Sequence, residues 1–376
     1  MNAAVVEHLL HLIRIPSVSS LSNRPIIDYA AGVLHAARWQ TRPMPYTDPK
    51  GIEKINLIAA PPGQDLGNPA AELVFMCHTD TVPYASDWAK ATEPFVSEGM
   101  VYGCGACDVK GFLACLLTSV AEVTSSALTG GLRLVLTADE EIGCVGAAHL
   151  ITAGVVRPRR VVVGEPTLLH PARAGKGYCL AEITVVGEEA HSAHPQKGRS
   201  AIYRAARLIT AIEEFGVRLA EERHLFFSPG FTTLNVGTVH GGTAKNIIPG
   251  QCVFQLEWRP IPGQSADTVP AALNGLVEQL RLSDPGFHWK LNILRQQAGF
   301  ESNANSHLVR SIERLTGRPA TSIPFGSEAS LLAEVAEEVV VFGPGDMRTA
   351  HSSRERVPVS QLREAVDCLK ALMTDA

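Results

Sequence analysis

Histidine and carboxylate residues recur in five short segments of this chain, with types and spacing that suit a pair of metal ions. The segments are His78-Thr79-Asp80, the glycine-rich run Gly103-Cys104-Gly105-Ala106-Cys107-Asp108, Asp139-Glu140-Glu141, Gly164-Glu165, and Asp346 with His351. Each alone has a plainer explanation. A histidine after a strand is commonly a hydrogen-bonded loop residue, paired glutamates commonly make a solvated turn, and an aspartate in a glycine-rich loop caps helices well. Taken together they read as one site. Two zinc ions about 3.5–4 Å apart need a bridging carboxylate, terminal histidine and carboxylate ligands, and an open position for water. A further carboxylate must take a proton from that water and return it to the leaving group. Adjacent Glu140 and Glu141 can divide those tasks, and Asp80, two residues after His78, can fix the tautomer of a ligating imidazole.

The elements that carry these segments are short and largely apolar. Glu72–Cys77, Leu132–Thr137, Val161–Gly164 and Val339–Phe342 read as strands. They alternate with helical spacing over Ala3–Ile15, Lys110–Val123, Val145–Ala153, Asn303–Thr316 and Val359–Leu372. That order predicts a mostly parallel sheet covered on both faces. Four of the five segments follow a predicted strand, at the edge where open α/β sheets place their sites. In the middle of the chain the texture changes. Cys179–Val186, Thr232–His240 and Ile247–Trp258 alternate polar with apolar residues, and Arg199–Glu222 and Ser265–Leu282 have helical spacing. The expectation is a catalytic α/β domain, residues 1–174 and 291–376, interrupted by an inserted α+β domain over 175–290.

Composition excludes several classes. A net charge of -5 without any basic run gives no footprint for nucleic acid. Apolar stretches such as Leu73–Cys77 are far shorter than a membrane span. The opening MNAAVVEHLLHLIRIPS has neither the basic start nor the small-residue cleavage site of a signal peptide, so a cytoplasmic location is expected. Eight cysteines are scattered along the chain, and the CxxC pair Cys104/Cys107 has no second pair to complete a zinc site. They read as reduced, structural thiols.

The motifs HTDTVP, GCGACDVKGF, ADEEIG, GEPT, EEAHSAHP, EWRPIPG and GPGDMRTAH, in this order, resemble those of the zinc aminoacylase/carboxypeptidase family over essentially the whole chain. GEPT and GPGD…AH resemble its acetylornithine deacetylase branch most. The resemblance implies a zinc-peptidase-like α/β/α catalytic domain with an inserted lid and dimerisation domain, and hence a homodimer. It implies one zinc held by His78, Asp108 and Glu165 and another by Asp108, Glu141 and His351, with Asp108 bridging. Asp80 would orient His78, and Glu140 would be general base and acid. Cobalt or manganese are expected substitutes, because mixed histidine and carboxylate ligands discriminate weakly. The family's bridging aspartate precedes a cis peptide, which points to Asp108–Val109. His191 matches a histidine that reaches the partner subunit's site and stabilises an oxyanion. Arg259 matches the arginine that grips the substrate α-carboxylate, a task suited to a guanidinium fork, and Asn246 is expected at the same end of the substrate. Glu328, just after Gly326-Ser327, reads either as the partner of a positively charged substrate side chain such as that of ornithine or as a glutamate complementing a helix N-terminus. The implied activity is removal of the acetyl group from a small N-acetyl-L-amino acid, N2-acetyl-L-ornithine first, as in arginine biosynthesis. Acetylcitrulline deacetylation, succinyl-diaminopimelate desuccinylation and cleavage of a small dipeptide are the alternatives. A non-catalytic amino-acid- or metal-binding protein is the reading of a different class.

Overall fold

Four parallel strands, Leu132–Thr137, Ala70–His78, Arg157–Gly164 and Glu338–Phe342, lie side by side in that order. The computed structural model describes residues 3–375 other than 89, 125–127 and 129. The chain divides into two compact units: Met1–Ala174 with Glu301–Thr321 and Ser327–Ala376, and Gly175–Phe300 with Ser322–Gly326. The parallel strands belong to the first unit. Beyond Leu132–Thr137 the sheet continues antiparallel through Glu53–Ala60 and Gln40–Thr47. The edge strand Gln40–Thr47 carries Pro43 and Pro45. Proline cannot donate to a ladder, which confines it to such an edge and hides the strand in the sequence.

Alternate residues of the central strands face opposite ways. Leu73, Phe75, Leu134, Leu136, Val162, Val340 and Phe342 join one large apolar core with helices Ala4–Arg14, Arg24–Ala36, Lys110–Glu122, His307–Thr316 and Val359–Thr374. Lys110–Glu122 is buried on almost every side. Helix Val145–Thr152 packs on the opposite face, where the buried Asn56 side chain donates to the main-chain oxygen of Gly146 at 2.9 Å. Short helix Ala329–Leu332 packs beside it. Register aligns the C-terminal ends: His78 pairs with Thr137, and Phe342 with Gly164. The residues that follow those ends therefore start out as neighbours.

The second unit is a four-stranded antiparallel sheet, ordered Thr233–Gly241, Gln251–Arg259, Tyr178–Val186, His288–Gln297. Cys179, Ala181, Ile183, Val185, Phe254, Leu256 and Trp258 alternate inward against helices Ala201–Leu219 and Thr268–Ser283. Ser200 caps the first of these helices by accepting from the Tyr203 amide. The unit extends past the expected boundary at 290, because His288–Gln297 pairs with Tyr178–Val186 along its whole length. The expected strand Ile247–Trp258 is two strands. Pro249-Gly250 breaks the ladder, and Ile247–Ile248 turns to pair with Ala190–His191. All eight cysteines are buried, and none is joined in a disulfide. Among the described residues no helix is long and apolar enough to cross a membrane.

Candidate metal centre

His78 ends its strand and is 1% exposed. Its Nδ1 donates to the main-chain oxygen of Asp80 at 3.0 Å. A carbonyl only accepts, so Nδ1 carries a proton and Nε2 is the nitrogen left to face the site. There Nε2 lies 3.2 Å from Oδ1 of Asp108 and 3.9 Å from Glu165, the residue that follows strand Arg157–Gly164. The other oxygen of Asp108, Oδ2, lies 3.1 Å from Nε2 of His351, which is also 3.3 Å from Oε1 of Glu141. The peptide Asp108–Val109 is cis. His78, Asp108, Glu141, Glu165 and His351 thus converge from five segments. Glu140 is part of the same cluster, with ligand atoms of His78, Glu140 and Glu165 all within 4.8 Å of one another.

Asp80 departs from expectation. Its carboxylate, 3.7 Å from His78, is too distant to hydrogen-bond the ring and orients it through the main-chain oxygen instead. The carboxylate accepts from the amides of Glu140 and Glu141 at 3.1 and 3.2 Å and from the Ser19 hydroxyl at 2.6 Å. It therefore fixes the turn that presents both glutamates.

The cluster is strongly negative. Asp80, Asp108, Glu140, Glu165, Glu328 and Glu355 are all buried in this unit. Burial pushes the Asp108 carboxyl up, but His351 and His78 outweigh that and hold it below the ordinary range. Burial, and then the charge of Asp108, pushes Glu141 up to about 7 and Glu165 well above a normal glutamate. Hydrogen bonds to Asp108 and Glu141 raise His351 to about 10. Buried carboxylates in this number must be neutralised, by protons or by cations among them. The spacing fits that need: donors about 2.0–2.1 Å from a tetrahedral zinc lie roughly 3.3 Å apart, and the three closest nitrogen–oxygen pairs here are 3.1, 3.2 and 3.3 Å. His351 remains half exposed, beside a cavity of 290 Å³ lined by Tyr84, Trp88, Cys104 and Glu355.

Residues 74–375 match the model of Peptidase family M20/M25/M40. The chain belongs to this family. It is a metal-dependent amide hydrolase. Its M20 relatives include the acetylornithine deacetylase of Myxococcus xanthus, 43% identical over 94% of this chain and 92% of the relative. The acetylornithine deacetylase of Photorhabdus laumondii is 31% identical, with the same shares covered. Among solved structures, a tripeptidase from Staphylococcus aureus superposes with a TM-score of 0.80 at 20% identity, covering 100% and 98% of the two chains. A dinuclear metal-binding M20 peptidase from Bacillus subtilis has a TM-score of 0.71 at 15% identity, covering 99% and 97%. These structures share the fold.

The remaining expected residues of this M20 chain divide by unit. Glu328, in the first, is 0% exposed, and neither of its oxygens has a hydrogen-bond partner. That burial argues against contact with a substrate cation, one of the two roles expected for it. In the second unit His191 pairs with Ile247, and the Ser192 amide donates to the main-chain oxygen of Asn246 at 3.0 Å. His191 and Asn246 are neighbours. Arg259 ends the strand that begins at Gln251, about 26 Å further on at 3.3 Å per residue. Within one chain Asn246, which lies toward the Gln251 end, therefore stands well apart from Arg259. Arg259 stacks 4.7 Å from the Tyr178 ring and pairs with Glu257 at 2.7 Å.

Other supporting residues were not anticipated. Lys54 and Glu355 are charged residues in polar runs, Gly51-Ile52-Glu53-Lys54 and Ser352-Ser353-Arg354-Glu355-Arg356, and such runs normally read as solvated. Both are buried. Cys144, in a left-handed conformation, donates its thiol to Oε1 of Glu140 at 3.3 Å.

Proposed function

We propose that the chain removes the acetyl group from an N-acetyl-L-amino acid, N2-acetyl-L-ornithine first, with two zinc ions. The observation that carries this reading is the Asp108 carboxylate, whose two oxygens each face the Nε2 of a different imidazole. That arrangement supports His78, Asp108 and Glu165 as holders of one ion and Asp108, Glu141 and His351 as holders of the other. Cobalt or manganese would serve in the same donor set. Once bound, the ions would polarise the acyl carbonyl and lower the pKa of water toward neutrality. Glu140 takes the proton from the attacking water and delivers it to the amine nitrogen as the C–N bond breaks, giving acetate and the free amino acid.

The relatives named acetylornithine deacetylase support the substrate; a place in arginine biosynthesis and a cytoplasmic location go with that reading. The assignments of Arg259 to the α-carboxylate and of His191 to the oxyanion rest on the motif resemblance. The separation of His191 and Asn246 from Arg259 supports a homodimer, in which the partner's His191 and Asn246 act together. A kinetic panel of acetylornithine, acetylcitrulline, succinyl-diaminopimelate and dipeptides, with elemental analysis of metal, tests the reading. The expected result is the highest kcat/KM on acetylornithine with two zinc ions per chain. Fast dipeptide cleavage without turnover of any acetylated amino acid overturns it.

A further inference from the structure

Glu355 has no part in the roles assigned above, yet it is tied to them by geometry. It immediately precedes strand Arg356–Pro358, which pairs antiparallel with Met100–Tyr102, Arg356 opposite Tyr102. That pairing lays Glu355 along the loop that starts at Gly103, whose amide donates to the main-chain oxygen of Glu355 at 3.4 Å. The buried carboxylate then collects the loop's amides. Oε2 accepts from Gly105, and Oε1 accepts from both Cys107 and Asp108, each at 3.1 Å. Convergent amides of this kind make an anion-binding nest, and here the chain's own carboxylate fills it. The loop has little freedom to rearrange. Gly105 has φ +77, and a Cβ there would lie 2.9 Å from Cδ of Lys110 and 3.0 Å from Cγ2 of Thr81.

We propose that Glu355 is a positioning residue for the metal pair. By holding the Asp108 amide it sets where the bridging carboxylate stands. Because His351 belongs to the same short segment, it also ties that imidazole to the carboxylate it faces. The inference rests on the two-metal reading of the site.

Manganese(II) titration of the metal-free protein, followed by electron paramagnetic resonance and calorimetry, tests it in wild type and in Glu355→Gln. Wild type should take two ions, the second giving an exchange-coupled spectrum; a wild type that takes only one overturns the two-metal reading itself. In Glu355→Gln the amide group would oppose an N–H donor. The second ion should then bind 10- to 100-fold more weakly, and the spectrum should become that of an isolated ion while the first ion binds as before. A variant that melts at a lower temperature but binds two coupled ions with wild-type affinity overturns the inference, since Glu355 would then serve the fold alone. If Glu355→Gln does not fold, Glu355→Asp, with its charge kept one methylene short, must show the same selective loss of the second ion, and unchanged binding there likewise overturns it.

Discussion

The Lys54 ammonium lies 2.7 Å from Oδ1 of Asp139, and both side chains are 1% exposed. Asp139 takes a left-handed φ of 59 just before Glu140. Lys54 also donates to the main-chain oxygens of Ser19 and Leu21 at 2.5 and 2.8 Å, while the Tyr46 hydroxyl donates to the other oxygen of Asp139 at 2.9 Å. A residue on strand Glu53–Ala60 therefore pins the turn that presents both glutamates. Lys54→Met keeps most of the volume and leaves the carboxylate buried without its cation. Stability should fall by about 3–5 kcal/mol, read from the denaturant midpoint. An unchanged midpoint would show that the turn is held by other contacts.

Glu140 makes the second case. Asp80 fixes its main chain, and the Cys144 thiol meets its side chain. Glu140→Gln preserves size and hydrogen bonding but cannot take a proton. Turnover should drop by a factor on the order of 10²–10⁴ while metal content stays the same. Loss of metal in this variant would instead make Glu140 a ligand, a role its closeness to His78 and Glu165 also permits.

Charge in the metal-free site leads to a third prediction. His351 is raised to about 10 by Asp108 and Glu141, and Glu141 to about 7 by burial and Asp108. Near pH 7 the metal-free protein therefore holds protons here that an incoming ion must displace. Affinity should rise with pH between 6 and 8. Calorimetry in buffers of different ionisation enthalpy should detect proton release on zinc binding. A chelator should abolish activity and lower the melting temperature, because an ion at 100 times its Kd stabilises by about 2.7 kcal/mol. Zinc binding without proton release would contradict this charge state.

The parallel sheet and its functional edge were legible because buried strands such as Val339–Phe342 are apolar throughout and the chemistry-bearing residues directly follow them. Helix Arg24–Ala36 was not anticipated, although Ile26, Ile27, Ala30 and Leu34 are spaced for one buried face. Strand Gln40–Thr47 is masked by its two prolines. Asp80 shows a different limit. Proximity to His78 in sequence suggested a ring contact, but the choice between main-chain and side-chain oxygen depends on the backbone path. Lys54 and Glu355 mark a third: a charged residue in a polar run gives no sign that partners distant in sequence will bury it.

Glu328 is another such buried acidic residue, with neither oxygen hydrogen-bonded. Burial pushes its carboxyl up to about 8, opposed by the nearby Thr137 hydroxyl and His78 and reinforced by Glu140 and Asp80. An unfolded glutamate titrates near 4.5. Between those values the folded protein keeps a proton that the unfolded chain has lost. Stability is thus fully present below about pH 4.5 and is lost as pH rises through 8, by up to about 1.4 kcal/mol per pH unit. Glu328→Gln removes the titration, so its stability relative to metal-free wild type should grow between pH 5 and pH 8.5, as read from urea midpoints. A constant difference across that range would mean that Glu328 is already ionised in the native state. The same burial separates the two roles expected for this residue. A carboxylate that bound a substrate ammonium would lose acetylornithine but spare acetylcitrulline on conversion to glutamine, whereas a carboxyl sealed in the core should leave the ratio of the two kcat/KM values unchanged, and the unchanged ratio is the result expected here.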